Sequence, residues 1–327
     1  MAPMELYAEL TDLFVACQGW LFDSLIQPLM FALGLAGYTE MAFDGLEFFL
    51  LGILELLIGY LLLRPLEALW PAEKNGRGAA VRLDVIYTLL DRLGAIPLAV
   101  FVVLAPVFME IDGWLRMHDI IPPQLEDWLP GLEQHPLLSF AVYLVILDFF
   151  EYWRHRLSHT FGWWWALHSI HHSQRRMTFW TDSRNHLLDD LIAGVWFAVL
   201  SLAIGVPPNH FIGLLIALRL VENFSHANTT LDFGPMGDRL VVGPLYHRWH
   251  HALELPEGRR FRYGCNFAIL LPIWDWIFGT LYLAPQLPAT GVLEHDARET
   301  QARDSFWAQQ KLGLVQMWQA LRSRPMI

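Results

Sequence analysis

The sequence predicts an all-α, polytopic membrane helix bundle with a histidine-rich helical cap on its cytoplasmic side. Three observations carry that prediction. Of the 327 residues, 54% are hydrophobic and 17% charged, with a mean hydropathy of +0.33; soluble domains carry about a quarter charged residues. Several apolar runs have helical length, and ten of the fourteen histidines, His210 left aside, fall in motifs within the stretch that follows Tyr152 and ends at His251. A net charge of -11 without a basic domain excludes a nucleic-acid partner. Cys17 and Cys265 make neither a disulfide framework nor a thiolate metal site. No G-x-G-x-x-G, P-loop or G-x-S-x-G is present, so no nucleotide or serine-hydrolase site is expected.

Residues 1–46 are expected to form an N-terminal apolar or interfacial segment. From Leu10 to Tyr38 the chain is broken by Gly19, Asp23, Pro28, Gly34 and Gly37, which predicts short or interfacial helices. The N-terminus shows no basic n-region and no small-residue cleavage site, so it is read as retained. Residues 47–285 form the expected catalytic domain, beginning with Phe48–Leu63, whose single charge is Glu55 and which Arg64-Pro65 should end. Val85–Met109 follows, then Leu137–Leu147, which runs on through Asp148 and Glu151 to Arg154 and Arg156. Leu191–Val206 and Phe211–Val221, joined by Pro207-Pro208-Asn209-His210, read as a hairpin of two membrane arms. A full span needs about 20 residues, so several of these runs are marginal unless flanking residues snorkel. Residues 286–327 are expected to be a polar tail with an amphipathic helix around Phe306–Leu321.

Charge sets the expected orientation. Arg64, Lys74, Arg77 and Arg82 lie on one side, as do Arg154, Arg156, Arg175, Arg176 and Arg184, whereas the acidic loop Glu110–Gln134 holds only Arg116. The positive-inside rule places the basic segments in the cytoplasm. The protein is then integral and multi-pass, in the inner membrane if it is bacterial. Trp163, Trp164 and Trp165 read as an interfacial aromatic belt.

Four histidines, His118, His135, His210 and His295, are scattered and read as loop or solvated residues. The others cluster: His155 and His159 stand four apart, while His168, His171 and His172, then His247, His250 and His251, each form H-x-x-H-H. Residues three and four apart share a helix face, so each group can aim two or three imidazoles at one spot. Imidazole suits iron, zinc, copper and nickel. Clustering so many without a metal would cost desolvation, and repulsion on protonation. The ligands start where an apolar helix ends, which places a metal centre at the mouth of a bundle within reach of an alkyl chain in the bilayer. By the residues alone, an oxygenase, a dizinc membrane hydrolase, and a non-catalytic metal carrier or sterol-binding protein with an inert site all stay open.

Read in order, His155-Arg-Leu-Ser-His159, His168-Ser-Ile-His171-His172 and His247-Arg-Trp-His250-His251 resemble the histidine motifs of the fatty acid hydroxylase/sterol desaturase superfamily, integral membrane di-iron oxygenases. Arg184-Asn185-His186, Phe224-Ser225-His226-Ala227-Asn228, Tyr263-Gly264-Cys265-Asn266 and Trp274-Asp275-Trp276-Ile277-Phe278-Gly279-Thr280 resemble further motifs of its bacterial members. The resemblance runs firmly from about Leu137 to Tyr282. It implies metal ligation by His155, His159, His168, His171, His172, His226, His247, His250 and His251, with His186 as a tenth. Some eukaryotic members have a histidine where this chain has Glu222, which leaves the count there open. Asp148, Glu151, Asp182, Asn185, Asp189 and Asn266 are candidate partners for the second ring nitrogens, Asp148 foremost.

The resemblance further implies a di-iron centre, O2 as co-substrate and a lipid substrate (fatty acyl, ether lipid or sterol-like). The product is an alcohol or, in a desaturase, an alkene. With no flavin, haem or iron–sulfur motif in the chain, electrons are expected from a separate reductase, ferredoxin or cytochrome. The basic side chains Arg154, Arg156, Arg175, Arg176 and Arg248 offer a surface for an acidic carrier, or an anchor to the membrane.

Overall fold

The computed structural model describes residues 3–73, 78–121, 123–205, 208–256, 263–293 and 305–323. Lys74, Arg77, Pro207 and His295 lie outside the described residues, as does the side chain of His210. The described architecture is helical, without a named β-strand. Among the described residues four helices are long and apolar enough to cross a bilayer: α3 (Thr39–Leu69), α5 (Ala95–Met117), α7 (Pro136–Thr160) and α9 (Leu187–Ile204). Only 6% of the apolar window of α5 and 11% of that of α9 is buried inside the protein. Leu98, Phe101, Val102 and Val103 are each half exposed or more. Such a continuous apolar surface is a bilayer-facing one.

The N-terminal segment is an α-helix, α1 (Pro3–Leu21), followed by a π-turn at Phe22–Ile26 and a short α2 (Gln27–Ala32). Two boundaries differ from the sequence expectation. Arg64-Pro65 does not end α3, which continues to Leu69. Its last turn is fixed from outside, because the buried Glu67 carboxylate accepts the backbone N–H groups of Phe179 and Asn228, both at 2.9 Å. The run Val85–Met109 divides into α4 (Ala79–Arg92) and α5, because Gly94 turns the chain with φ of 86°. A left-handed residue stops a helix, and glycine takes that conformation without steric cost.

At the end of α7 the chain turns at Phe161 into α8 (Gly162–His172). Helix α9 follows, Gly205 closes it in the left-handed region, and α10 (Pro208–His226) returns. A four-residue turn, α11 (Gly234–Gly237), leads to α12 (Pro244–His250), which carries the last histidine group. A loop and the short helix α13 (Ile273–Ile277) close over it, and the tail helix α14 (Phe306–Arg322) packs on α8. The predicted amphipathic stretch therefore exists, but its buried face is polar: Gln309, Gln310 and Gly313.

Candidate metal centre

Helices α7, α8, α10 and α12 each bring histidines to one buried place. His155 and His159 lie a turn apart at the end of α7, and His168, His171 and His172 line the last turns of α8. His226 ends α10, and His247, His250 and His251 come from α12 and its cap. All nine are buried, none more than 8% exposed. They sort into two sets, His155, His159, His168, His172 and His250, and His171, His226, His247 and His251. Within each set the facing ligand atoms lie within 4.8 Å of one another. Ligands at about 2.1 Å on opposite sides of one ion are about 4.2 Å apart, so each set has the dimensions of a single metal site. The sets adjoin through His171 and His172, which are neighbours in sequence, and through His172 and His251, whose rings stack at 4.2 Å.

In the first set three ring nitrogens meet acceptors outside it. Nδ1 of His155 meets the Phe267 carbonyl at 2.8 Å, Nδ1 of His250 the Cys265 carbonyl at 2.9 Å, and Nδ1 of His168 the Asp189 carboxylate at 3.0 Å. Donation at Nδ1 leaves Nε2 as a lone pair aimed inward, the arrangement metal-bound histidines use. In the second set Nε2 of His226 lies 3.2 Å from that of His171 and 3.0 Å from that of His247. Nε2 of His159, His168, His172 and His250, all in the first set, is buried without any partner. At about 1–3 kcal/mol for each buried unsatisfied group, those four sum to roughly 4–12 kcal/mol. The net stability of a domain is only about 5–15 kcal/mol. The donor set therefore fits metal ions that satisfy these atoms. Burial first, and then the neighbouring imidazoles, push His171, His172, His247 and His251 well below the usual histidine value; burial pushes His250 down to about 3. Both effects favour the neutral ring at these five residues, the form that ligation needs.

The structure departs from the sequence expectation at several residues. His186 belongs to neither set. Its Nδ1 accepts the Leu188 N–H at 2.9 Å as the N-cap of α9, and its Nε2 lies 2.9 Å from the Gln310 carbonyl, so both nitrogens are engaged. Asp148 does not reach a histidine; it accepts the N–H groups of Leu270 and Leu271 and the Trp274 indole, holding the loop over the site. Glu151 pairs with Arg154 at 2.8 Å, and Asn266 braces Tyr246 and Tyr282. Of the candidate carboxylates, Asp189 takes His168 and Asp182 lies 3.5 Å from Nδ1 of His226. The Trp163–Trp165 run is no simple belt: Trp164 is buried and donates to Asp189 at 2.7 Å, and Trp165 packs 4.7 Å from the His159 ring. Nor do the five arginines form one surface. Arg248 is buried against Glu73, Arg154 is turned to Glu151 and half-buried Arg156 donates to the Tyr152 hydroxyl at 2.9 Å, while Arg175 and Arg176 are exposed.

The late loop works as a clamp. Asp275 accepts the Phe267 and Ala268 N–H groups, the Thr280 hydroxyl and the Tyr246 hydroxyl, fixing the peptide whose Phe267 carbonyl orients His155; the peptide of the Cys265 carbonyl, which orients His250, is held by its Asn266 N–H on the Thr280 carbonyl at 3.0 Å. Gly264, with φ of 125°, leaves room there: a Cβ would lie 3.0 Å from the Phe267 ring and 3.3 Å from Nδ1 of His159. Arg184, beside His186 in its motif, has a bracing role that the motif does not show. It is fully buried, pairs with Asp84 at 2.6 Å, and points Nε at the Ile170 carbonyl in the last turn of α8. Asp84 also accepts from Gln174 and Thr181, so this cluster ties α4 to the strand of chain that leaves the H-x-x-H-H group. A charged pair flanking apolar α4 and a histidine motif was the signal available in the sequence.

Comparisons with known proteins agree with this geometry. Residues 140–280 match the fatty acid hydroxylase family model. An ornithine lipid hydroxylase of Rhizobium tropici is 29% identical over 238 residues, 69% of this chain and 65% of its own length. Human alkylglycerol monooxygenase is 32% identical over 145 residues, 44% of this chain and 31% of its own. A Delta(7)-sterol 5(6)-desaturase of Gibberella zeae is 23% identical over 203 residues, 62% and 52% of the two chains. The chain thus spans less than two thirds of each of these relatives. No solved structure matches it. With its three histidine motifs in order, its matched domain and these relatives, the chain fits the fatty acid hydroxylase/sterol desaturase superfamily.

Proposed function

We propose that the protein is a membrane oxygenase that hydroxylates a lipid, with two iron ions held by the nine clustered histidines. The observation that carries this reading is the pair of adjoining, fully buried all-imidazole sets, each the size of one metal site. Bound iron would supply the activation of dioxygen; in the net reaction a lipid C–H, O2, two electrons and two protons become C–OH and water. The chain's own residues do the rest. Phe267 and Cys265 carbonyls and Asp189 lock the rings at Nδ1. The Asp275 clamp and the loop held by Asp148 keep bulk water from the rings. The electrons come from a separate carrier protein.

The relatives' names offer an ornithine lipid, an alkylglycerol or a sterol as the substrate. Desaturation of such a lipid is the second reading, favoured by the sterol desaturase relative, which aligns over 62% of this chain. Residues 47–285 carry the catalytic domain in this reading, after an N-terminal segment at 1–46. The region from 286 onward contributes the brace α14. The site faces the cytoplasm, in the inner membrane if the protein is bacterial, because Arg64, Arg82, Arg175, Arg176 and Arg184 lie on that side. The test uses membranes given a reduced carrier under isotopically labelled O2, followed by mass spectrometry of the lipids. A labelled alcohol is expected. An unlabelled product lighter by two hydrogens moves the assignment to desaturation, and turnover without O2 contradicts both.

A further inference from the structure

The tail helix α14 is amphipathic the wrong way round for a helix between a core and water. Its fully buried positions are Gln309, Gln310 and Gly313. Gln309 accepts the Tyr87 hydroxyl at 2.8 Å, Gln310 donates to the same hydroxyl at 3.0 Å, and the Gln310 carbonyl faces Nε2 of His186 at 2.9 Å. The outward positions hold the large apolar side chains. Trp307 is 73% exposed and Trp318 54%, with Leu314 and Leu321 exposed beside them. Spacings of seven, four and three residues put these four on one stripe, because residues at such intervals share a helix face. A helix docked on a core in water turns that stripe inward. Here it faces away from the protein.

Two contacts set the level at which the stripe sits. The Gln310 side chain accepts the backbone N–H of Leu187 at 2.8 Å, and Leu187 is the first residue of the apolar span α9. Tyr87 belongs to α4, which Gly94 joins to the span α5, and its ring packs 4.8 Å from that of Phe306. Ile86 and Leu89, beside Tyr87 on α4, are exposed as well. Helix α14 is therefore held where α9 and α5 enter the hydrocarbon layer, the level at which tryptophan is enriched. Charge agrees with that place. The chain as a whole carries -11, yet α14 has no Asp or Glu, and its Lys311 and Arg322 are exposed along one border of the stripe. The Arg322 guanidinium lies 4.5 Å from the centre of the Trp318 ring, so cation and ring share one depth. A Trp/Leu stripe with a basic border is the composition of a helix that lies in the interface of an anionic bilayer.

We propose that α14 lies in the membrane interface, with its stripe at the boundary of headgroups and acyl chains and with Lys311 and Arg322 on anionic lipid headgroups. The bilayer then braces the metal centre from behind. Through Gln310 and Gly313 the seated helix holds His186, the cap of α9, and α8, which carries His168, His171 and His172. Nothing in this depends on the reaction at the centre.

The test uses the full chain with Cys17→Ser, Cys265 being buried, and a nitroxide on one new cysteine at a time. Leu314→Cys and Trp318→Cys lie on the stripe, and Gln319→Cys lies on the exposed flank. The protein is placed in discs of phosphatidylcholine with phosphatidylglycerol, and collisions of the label with O2 and with a water-soluble nickel chelate are compared. The ratio of oxygen to nickel collisions is expected to be several-fold higher at 314 and 318 than at 319. Equal ratios at the three positions would place the stripe in water and overturn the proposal. So would protection from both colliders with dipolar broadening between labels, since a second copy of the chain would then be the cover. A cation at an anionic surface is worth about fivefold in the docked-to-free ratio. Lys311→Glu with Arg322→Glu should therefore lower the collision ratio at 318 more in these discs than in discs of phosphatidylcholine alone; an equal change in both contradicts the anionic lipid. Leu314→Glu with Trp318→Glu, in unlabelled protein, should lower the unfolding temperature in discs by about 3 °C or more, whereas a water-facing helix tolerates such an exchange almost unchanged.

Discussion

His171 and His186 differ in what their ring nitrogens face. Nε2 of His171 lies 3.2 Å from Nε2 of His226, and its Nδ1 has no partner, whereas both nitrogens of His186 are already bonded. Replacing His171 with alanine is therefore expected to remove most bound metal. Replacing His186 should leave metal content unchanged and lower stability by about 1 kcal/mol through loss of the α9 cap. Elemental analysis together with thermal unfolding separates the two outcomes, and metal loss in H186A would contradict the assignment. The sequence motif could not separate these histidines, because spacing reports the face of a helix and not the partner across it. Gln310, which occupies Nε2 of His186, lies 124 residues further along the chain. The same limit hid Arg184. Asp84→Asn leaves that fully buried guanidinium without its charge partner and should cost about 3–5 kcal/mol in unfolding free energy.

Among the elements, α8 and α12 hold imidazoles that burial keeps neutral. In the unfolded chain the same groups take up protons below about pH 6.5. The unfolded state then binds more protons than the folded one, so stability is full above that pH and falls as the pH drops below it. Protein stripped with a chelator should lose thermal stability steadily between pH 7.5 and 5.5, and metal affinity should fall with it. A melting temperature flat across that range would show that the rings are not buried neutral. Orientation is tested at the same scale: reporters fused after Pro71 and Arg175 should read as cytoplasmic and one after Glu133 as outside. If the loops flanking α7 report one compartment, α7 does not span. Periodicity and composition made the long apolar elements legible, including α7 with its histidines at the end. They did not place the break at Gly94 or the continuation of α3 past Pro65, because a left-handed glycine and the remote donors Phe179 and Asn228 decide those. The tail helix was legible as amphipathic, yet its docking face is made of glutamines and a glycine. A Cβ on Gly313 would come within 2.6 Å of the His186 ring.

For the whole molecule, the bundle acts as a frame that brings nine imidazoles from four helices to one place beside a charged cavity. The late loop, which the sequence showed only as matching motifs, supplies the carbonyls and carboxylates that hold the rings in register. The fold class and the identity of the clustered histidines were readable because membrane composition and imidazole spacing are local signals. Their division into two sets was not, since His171 and His172 are adjacent in sequence yet serve different sets, and His250 and His251 divide the same way. That division is the central claim. Its most direct test is the number of metal ions per chain, measured on purified protein reconstituted with ferrous iron without oxygen. Two irons per chain are expected, falling to about one or fewer when His172 or His251 is replaced by alanine. A wild-type stoichiometry that saturates at one ion per chain would contradict the two-site geometry.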